Sequence, residues 1–189
     1  MSPLLLLDVD GVLNVSVPRP ERRRWEWLGW TGGWMIWVSR GTTYRVASLA
    51  REFDIVWCTA WNEDAHGLGV NLGWESRVRG FPFPVLDTST AQEGPLLDAS
   101  GARTCWKIPA VRAWSDRNAQ GRALAWLDDD LAADAVEWAD ARNASGAPTR
   151  LVPCDESRGL GTHQTSDLLS WARSLREAKK AANSPAPSI

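Results

Sequence analysis

Several features that would assign this 189-residue chain to a familiar class are scarce. No apolar run approaches the ~20 residues that span a bilayer, and Asp8 and Asp10 interrupt the first apolar stretch too early for a signal peptide. The three cysteines, Cys58, Cys105 and Cys154, are dispersed, odd in number and without metal-ligand spacing. The formal net charge is −2, so no overall basic field attracts nucleic acid or an anionic membrane. We therefore expect a reduced, cytoplasmic protein that does not bind a membrane.

Short apolar runs alternate along the chain with longer helical patterns. We predict five strands, at residues 4–7, 54–58, 83–86, 123–127 and 149–153. We predict helices at about 43–52, 62–72, 108–118, 130–143 and 165–179. This alternation indicates an α/β fold with a parallel sheet covered by helices on both faces. We expect a single domain over residues 1–178 and a disordered, proline-containing tail over 179–189.

Tryptophan is abundant, with 13 residues against one tyrosine and three phenylalanines. Five of them flank Gly32-Gly33 between the first strand and the first helix: Trp25, Trp27, Trp30, Trp34 and Trp37. Gly-Gly between aromatic runs predicts a two-stranded flap at about 22–40, which is too short for a second domain or a large cap. Its tryptophans either stack on nucleic-acid bases or pack the flap onto the domain. Likewise, Arg22, Arg23 and Arg24 either contact phosphates or form a solvated loop.

Two acidic residues, Asp8 and Asp10, follow the first predicted strand. The four leucines at 4–7 show no polar alternation, which is typical of a strand buried on both faces. Ligands of open α/β sheets bind beyond the carboxyl ends of the strands, which is where these acids lie. Two like charges this close together are costly unless they share a cation. The alternative is an ordinary Asp-Gly turn after a strand.

Polar residues also follow the second and fourth predicted strands. Thr59 brings a hydroxyl group to the end of the second strand, where it either binds phosphoryl oxygens or caps the next helix. Lys107 is one of only three lysines and precedes a predicted helix, where its ammonium could neutralise a phosphoryl group. Asp128, Asp129 and Asp130 follow the fourth strand, and Asp130 is a candidate N-cap for the next helix. Asp128 and Asp129 then complete an oxygen-ligated metal site with Asp8, of the kind that suits Mg²⁺. The pair Asp129–Asp130 and a contribution from Asp134 remain alternatives.

The order of these motifs resembles the haloacid dehalogenase (HAD) superfamily of phosphohydrolases over roughly residues 4–175. More narrowly, Asp-Val-Asp-Gly-Val-Leu-Asn, Val-Trp-Cys-Thr-Ala-Trp, Ala-Trp-Leu-Asp-Asp-Asp and Gly-Leu-Gly-Thr-His look like the HAD domain of "Swiss Army knife" RNA-repair proteins. The resemblance implies a Rossmann-like, five-stranded parallel sheet of order 5-4-1-2-3 with a small β-hairpin flap and no large cap.

The same resemblance implies a Mg²⁺-dependent phosphatase. Asp8 would be the nucleophile that forms an aspartyl-phosphate, and Asp10 the general acid and base. Thr59 and Lys107 would bind the phosphoryl oxygens. Mg²⁺ would be held by the Asp8 carboxylate, the Asp10 backbone carbonyl, Asp128 and Asp129. The expected substrate is a phosphorylated compound, with RNA or DNA ends favoured over small metabolites because no large cap covers Asp8. The alternative functions are a small-metabolite phosphatase, a phosphotransferase, or a catalytically silent module that binds phosphorylated ends or a protein.

Overall fold

The structure is a computed structural model that describes residues 1–15, 25–31, 34–91, 97 and 101–182. The strands within these residues are β1 (Leu4–Leu7), β2 (Trp25–Thr31), β3 (Trp34–Ser39), β4 (Asp54–Trp57), β5 (Leu124–Asp128) and β6 (Thr149–Pro153). The α-helices in the same part of the chain are α1 (Thr42–Leu49), α2 (Ala65–Asn71), α3 (Ile108–Asn118), α4 (Ala133–Ala144) and α5 (Thr162–Ala182). The chain is therefore an α/β protein, as its sequence predicts.

Strand β1 lies in the middle of a parallel sheet whose order is β4-β1-β5-β6. Leu4 pairs with Asp54 of β4 on one side and with Leu124 of β5 on the other. All four leucines of β1 are buried. A strand with neighbours on both edges and helices on both faces needs apolar side chains throughout, and this explains the unbroken leucine run.

The prediction of five strands is wrong. Within the described residues the parallel sheet has four strands; numbered as in the prediction, their order is 5-4-1-2, and the third predicted strand is missing from the edge. Residues 83–86 form no strand and contribute one parallel bridge, between Val85 and Trp57. The Trp57 N–H donates to the Pro84 carbonyl and the Leu86 N–H to the Trp57 carbonyl, each at 2.8 Å. Pro82 and Pro84 have no backbone N–H, so a regular ladder cannot form here.

The alternating leucines of β1 belong to two core clusters on opposite faces of the sheet. Leu5 and Leu7 lie in a cluster with buried residues of α1, α2 and α5, which include Val46, Leu68 and Leu168. The second cluster joins the other face to α3 and α4, through Leu4, Leu6, Val111, Ala135 and Trp138. The sheet is thus covered on both faces, and its carboxyl edge stays available for a site.

The flap expected at about 22–40 corresponds to a two-stranded antiparallel sheet of β2 and β3. The register pairs Trp27 with Trp37 and Trp30 with Met35. The Val15 N–H donates to the Trp37 carbonyl at 3.1 Å, so this small sheet is attached to the segment that follows β1. The arginines 22–24 lie outside the described residues.

Several helix boundaries differ from those predicted, those of α4 and α5 among them. Helix α4 begins at Ala133, with Ala132 at its N-cap and no side-chain capping bond, so the assignment of Asp130 as the cap is wrong. Helix α5 begins at Thr162 and extends to Ala182, past the domain boundary expected at residue 178. The remaining tail, 183–189, lies outside the described residues.

Candidate active site at the carboxyl edge of the sheet

The turn after β1 places two acidic side chains at the carboxyl edge of the sheet. Asp8 directly follows the strand and is buried, whereas Asp10 is half-buried. Gly11 has a φ of +67°, a conformation that glycine adopts without strain. Its N–H donates to the Asn14 carbonyl at 2.7 Å, and the Asn14 N–H donates to the Val9 carbonyl at 2.8 Å. The chain therefore folds back at once and keeps both carboxylates at the end of β1.

Lys107, the residue before α3, lies between two buried carboxylates. Its Nζ is 2.7 Å from Asp8 Oδ2 and 2.6 Å from Asp128 Oδ2. The indole N–H of Trp126 also donates to Asp128 Oδ2, at 3.0 Å. The exposed fraction is 3% for Lys107 and 0% for Asp128. Such burial of an ammonium group is tolerated because it has two opposite charges within hydrogen-bond distance.

The three consecutive acids after β5 have different surroundings. Asp128 Oδ1 accepts the N–H of Asp130 at 2.9 Å. Asp129 lies against Gly11: a Cβ atom at Gly11 would be 2.1 Å from Asp129 Oδ2. Asp130 turns to Arg103, whose Nη2 is 2.6 Å from its Oδ1.

The acids that the structure brings together are Asp8, Asp128 and Asp129, each with a carboxylate oxygen within 4.8 Å of the others. Asp134, an alternative from the sequence, instead accepts the Cys105 N–H at 3.0 Å. Three carboxylates and the ammonium of Lys107 leave two negative charges uncompensated when all are ionised. Hard oxygen ligands with this surplus charge fit a divalent cation such as Mg²⁺.

Burial sets the protonation behaviour of this cluster. Burial raises the pKa of Asp8 to about 8; the Lys107 ammonium opposes this rise and the Asp128 charge adds to it. Burial, and then the Asp128 charge, raises the pKa of Asp129 to about 6. Burial alone would lower the pKa of Lys107, but the Asp8 and Asp128 carboxylates outweigh it and hold that pKa well above its usual range. The lysine therefore stays charged while the surrounding acids compete for protons.

Asp10 is held by two donors from different parts of the chain. The indole Nε1–H of Trp61 donates to its Oδ2 at 2.7 Å, and the Nδ2–H of Asn14 donates to its Oδ1 at 2.8 Å. The Asn14 side-chain carbonyl in turn accepts the backbone N–H of Trp37, in β3, at 2.9 Å. Both Asp10 oxygens thus have a fixed direction, and one of them is linked to the flap.

Thr59 is buried and lies two residues past the end of β4, the strand that neighbours β1. Its carbonyl accepts the hydroxyl of Thr88 at 2.9 Å, and the Thr88 N–H donates to the Asn62 side chain at 3.1 Å. The Thr59 hydroxyl accepts the Trp61 N–H at 3.4 Å, and the short 3₁₀ turn Asn62–Asp64 that follows has no side-chain capping bond. Asn62 has a φ of +47°, an uncommon conformation for a residue other than glycine. Hydrogen bonds from Thr88 therefore hold the loop that contains Thr59 and Asn62.

Sequence reasoning missed the residues that orient these groups: Asn14, Trp61, Asn62, Thr88 and Arg103. Each acts on a partner distant in sequence, apart from the Asn14 bond to Asp10, and Asn62, Thr88 and Arg103 lie in none of the motifs quoted above. Asn14 and Trp61 did stand within the quoted motifs, three residues after Gly11 and two after Thr59. The signal available in the sequence was the position of these two residues, close to the acidic turn after β1 and to Thr59.

Fold and site together define an α/β domain with an acidic, lysine-containing centre at the carboxyl edge of a parallel sheet. The chain belongs to the family described as the HAD domain in Swiss Army Knife RNA repair proteins, whose model matches residues 4–165. Searches of curated proteins and of solved structures found no match to the chain. Among the residues that the structure describes, no helix combines the length and apolar character needed to cross a membrane.

Proposed function

We propose that this domain is a Mg²⁺-dependent phosphomonoester hydrolase that works through an aspartyl-phosphate on Asp8. The observation that carries the proposal is the position of Lys107, whose Nζ bridges Asp8 Oδ2 and Asp128 Oδ2 in a buried cluster. A fixed positive charge beside a carboxylate nucleophile is what transfer of a phosphoryl group requires, because positioning and charge neutralisation dominate that reaction. Membership of a HAD family supports the same reaction class.

In the first step an Asp8 oxygen forms a bond to phosphorus while the bond from phosphorus to the leaving oxygen breaks. Asp10, in its acid form, gives its proton to that leaving oxygen. In the second step Asp10 takes a proton from water, whose oxygen attacks phosphorus and releases Asp8 and inorganic phosphate. Lys107 and Thr59 hold the phosphoryl oxygens. A divalent cation held by the carboxylates of Asp8, Asp128 and Asp129 and by the Asp10 carbonyl would neutralise charge on the phosphoryl group.

Hydrolysis of p-nitrophenyl phosphate with and without Mg²⁺ tests the reaction class. We expect Mg²⁺-dependent turnover that Asp8→Asn abolishes while the fold is kept, because the amide has the same shape but is not a nucleophile. Asp64→Asn is the matched control, since Asp64 is exposed and outside the cluster. Wild-type-like turnover by Asp8→Asn would refute the nucleophile. Binding of a phosphorylated oligonucleotide without any turnover would instead identify a binding module.

Titration calorimetry with Mg²⁺ tests the metal ligands. Asp129→Ala should weaken binding, because the Asp129 carboxylate lies in the cluster with Asp8 and Asp128. Asp130→Ala is the control, since Asp130 pairs with Arg103 and has no place in that cluster. Equal losses in both variants would contradict the ligand set proposed here.

We further propose that the substrates are nucleic-acid terminal phosphates. Met35, on β3, is 48% exposed and Trp37 is partly exposed, whereas Ile36 and Val38 between and beside them are buried. The flap therefore presents one face of β3 outward and keeps the other on the domain. Aromatic and thioether groups beside an uncapped site suit the unpaired bases of a nucleic-acid end.

The substrate class is tested by kcat/KM on 3′- and 5′-phosphorylated oligonucleotides against a panel of sugar phosphates. Trp37→Ala should lower the turnover of oligonucleotides, because the aromatic ring is removed. Hydrolysis of p-nitrophenyl phosphate should be unchanged, because the backbone N–H of residue 37 still donates to Asn14. Tyr44→Ala is the control, since Tyr44 is an exposed aromatic residue on α1. Preference for sugar phosphates, together with unchanged oligonucleotide turnover in Trp37→Ala, would exclude the nucleic-acid substrate.

A further inference from the structure

Asp10 is surrounded by an arrangement of donors that the proposed reaction does not by itself explain. Its two oxygens accept from two different side chains, Trp61 at 2.7 Å and Asn14 at 2.8 Å. Trp61 and Asn14 are both buried, and Trp61 comes from the loop after β4 rather than from the turn that carries Asp10. A side chain held at both oxygens by buried partners cannot rotate freely about its Cα–Cβ bond.

The orientation of the Asn14 amide is dictated by the flap. The backbone N–H of Trp37 can only donate, and it points at Asn14 with an N···O distance of 2.9 Å. The atom facing Trp37 must therefore be the amide oxygen, which turns the NH₂ group toward Asp10. Attachment of β3 thus determines that Asn14 offers Asp10 a donor and not an acceptor.

We infer that Trp61 and Asn14 are positioning residues for Asp10, which aim its carboxyl group at the leaving oxygen of the substrate. The inference rests on the proposed function, in which Asp10 moves the proton. Trp61 fixes one oxygen through its indole N–H, and Asn14 fixes the other through an amide that β3 orients. Outer partners of this kind commonly change activity by about 10–100-fold when they are removed.

The dependence of rate on the leaving group separates this role from general support of the fold. Proton transfer from Asp10 matters for a poor leaving group, such as the alkoxide of an alkyl phosphate, and matters little for p-nitrophenolate, which leaves without a proton. A misaligned Asp10 should therefore slow alkyl phosphate hydrolysis selectively. A protein that is merely less well folded should lose both activities in the same proportion.

The experiment measures kcat and KM for phenethyl phosphate and p-nitrophenyl phosphate with Trp61→Phe, which removes the N–H and keeps an aromatic ring. Trp57→Phe is the matched control: Trp57 is also buried, and in the described part of the chain its indole nitrogen has no hydrogen-bond partner. We expect kcat for phenethyl phosphate to fall about tenfold more than kcat for p-nitrophenyl phosphate in Trp61→Phe. In Trp57→Phe the ratio of the two should stay at the wild-type value.

Asn14→Ala provides an independent variant that removes the donor to Asp10, while the bond from the Val15 N–H to the Trp37 carbonyl remains to hold β3. It should show the same selective loss while β3 stays attached. In an Asp10→Asn background, Trp61→Phe should add no further selectivity, because the group that it positions is already inactive.

Equal slowing of both esters in Trp61→Phe and Asn14→Ala, or full additivity with Asp10→Asn, would overturn the inference and leave the phosphatase intact. If wild-type protein hydrolyses neither ester, the phosphatase and the positioning role both fail. The two kinds of failure are therefore distinguished by the activity of the wild-type protein.

Discussion

At the scale of single residues, Lys107 is the group on which the cluster depends. The lysine ammonium separates two carboxylates that would otherwise face each other without a counter-charge in a buried space. Removing one partner of a buried ion pair destabilises a protein far more than the intact pair stabilises it, because an uncompensated charge is left in the interior.

Lys107→Met should therefore destabilise the metal-free protein by about 3–5 kcal/mol, as measured by urea unfolding at a pH where Asp8 is ionised. The control is Lys179→Met, at the exposed end of α5, which we expect to change stability by no more than about 0.5 kcal/mol. A similarly small effect of Lys107→Met would mean that the buried lysine is not the counter-charge of the cluster.

The raised pKa of Asp8 makes stability depend on pH. Asp8 has a pKa of about 8 in the folded protein against 3.8 as its reference value, so the folded state binds more protons between these limits. Its contribution to stability is therefore present at low pH and is lost as the pH rises through about 8, with a slope of up to about 1.4 kcal/mol per pH unit.

In the proposed site Mg²⁺ competes with the proton for Asp8, so the increase in melting temperature on adding Mg²⁺ should be larger at about pH 9 than at about pH 6. Thermal unfolding at both pH values, with and without Mg²⁺, measures this increase. Asp8→Asn should lose most of this difference. An equal increase at both pH values in the wild-type protein would contradict the expectation.

The residues of the site were predictable from sequence to the extent that they follow strands. Asp8, Asp128 and Lys107 stand beside strand ends or a helix start, and their closeness follows from the parallel sheet. The partners of Asp10 were not predictable in the same way. Trp61 and Asn14 act through contacts between separate loops, and such contacts depend on how the loops pack and not on local pattern.

At the scale of elements, the turn after β1 depends on a glycine for two separable reasons. Gly11 and Gly121 have nearly the same positive φ, +67° and +64°. A Cβ at Gly121 would meet nothing within 4 Å, whereas a Cβ at Gly11 would collide with the Asp129 carboxylate. Alanine substitutions at the two positions therefore distinguish the effect of backbone strain from the effect of displacing Asp129.

Gly121→Ala should cost roughly 1–2 kcal/mol of stability through backbone strain and leave Mg²⁺ affinity unchanged. Gly11→Ala should carry the same strain and also weaken Mg²⁺ binding, because Asp129 must move. Urea unfolding and titration calorimetry on both variants measure the two effects. Unchanged Mg²⁺ affinity in Gly11→Ala would show that Asp129 is not a ligand of the proposed metal site.

Regular elements were predicted more successfully than irregular ones. The four strands of the parallel sheet were found within one residue or so of their bounds, since short apolar runs are a strong signal in buried strands. Residues 83–86 carry the same apolar signal, but prolines flank and interrupt them and only one bridge forms. The start of α4 was placed too early because the apolar and acidic pattern continues through 130–132 without any capping side chain.

At the scale of the whole molecule, the sheet separates two cores that we expect to respond independently to mutation. Leu168 of α5 lies in the first cluster and Leu124 of β5 in the second. Leu168→Val and Leu124→Val should each cost about 1 kcal/mol, since each removes one methylene from a fully buried site.

The double variant should lose the sum of the two values to within about 0.5 kcal/mol, as measured by urea unfolding. Leu49→Val combined with Leu168→Val is the comparison, because both residues belong to the first cluster and α1 contacts α5. Strong coupling between Leu124 and Leu168 would show that the sheet does not isolate its two faces.

The central place of β1 also has a consequence for the order of synthesis. Leu4–Leu7 are synthesised well before β5, which begins at Leu124, yet one edge of this strand pairs with β5. Until then the four leucines have only β4 as a neighbour, and one row of backbone groups is open to other chains. Pairing so distant in sequence is slow to form. The nascent chain must therefore keep its most apolar strand from aggregating until β5 has been made.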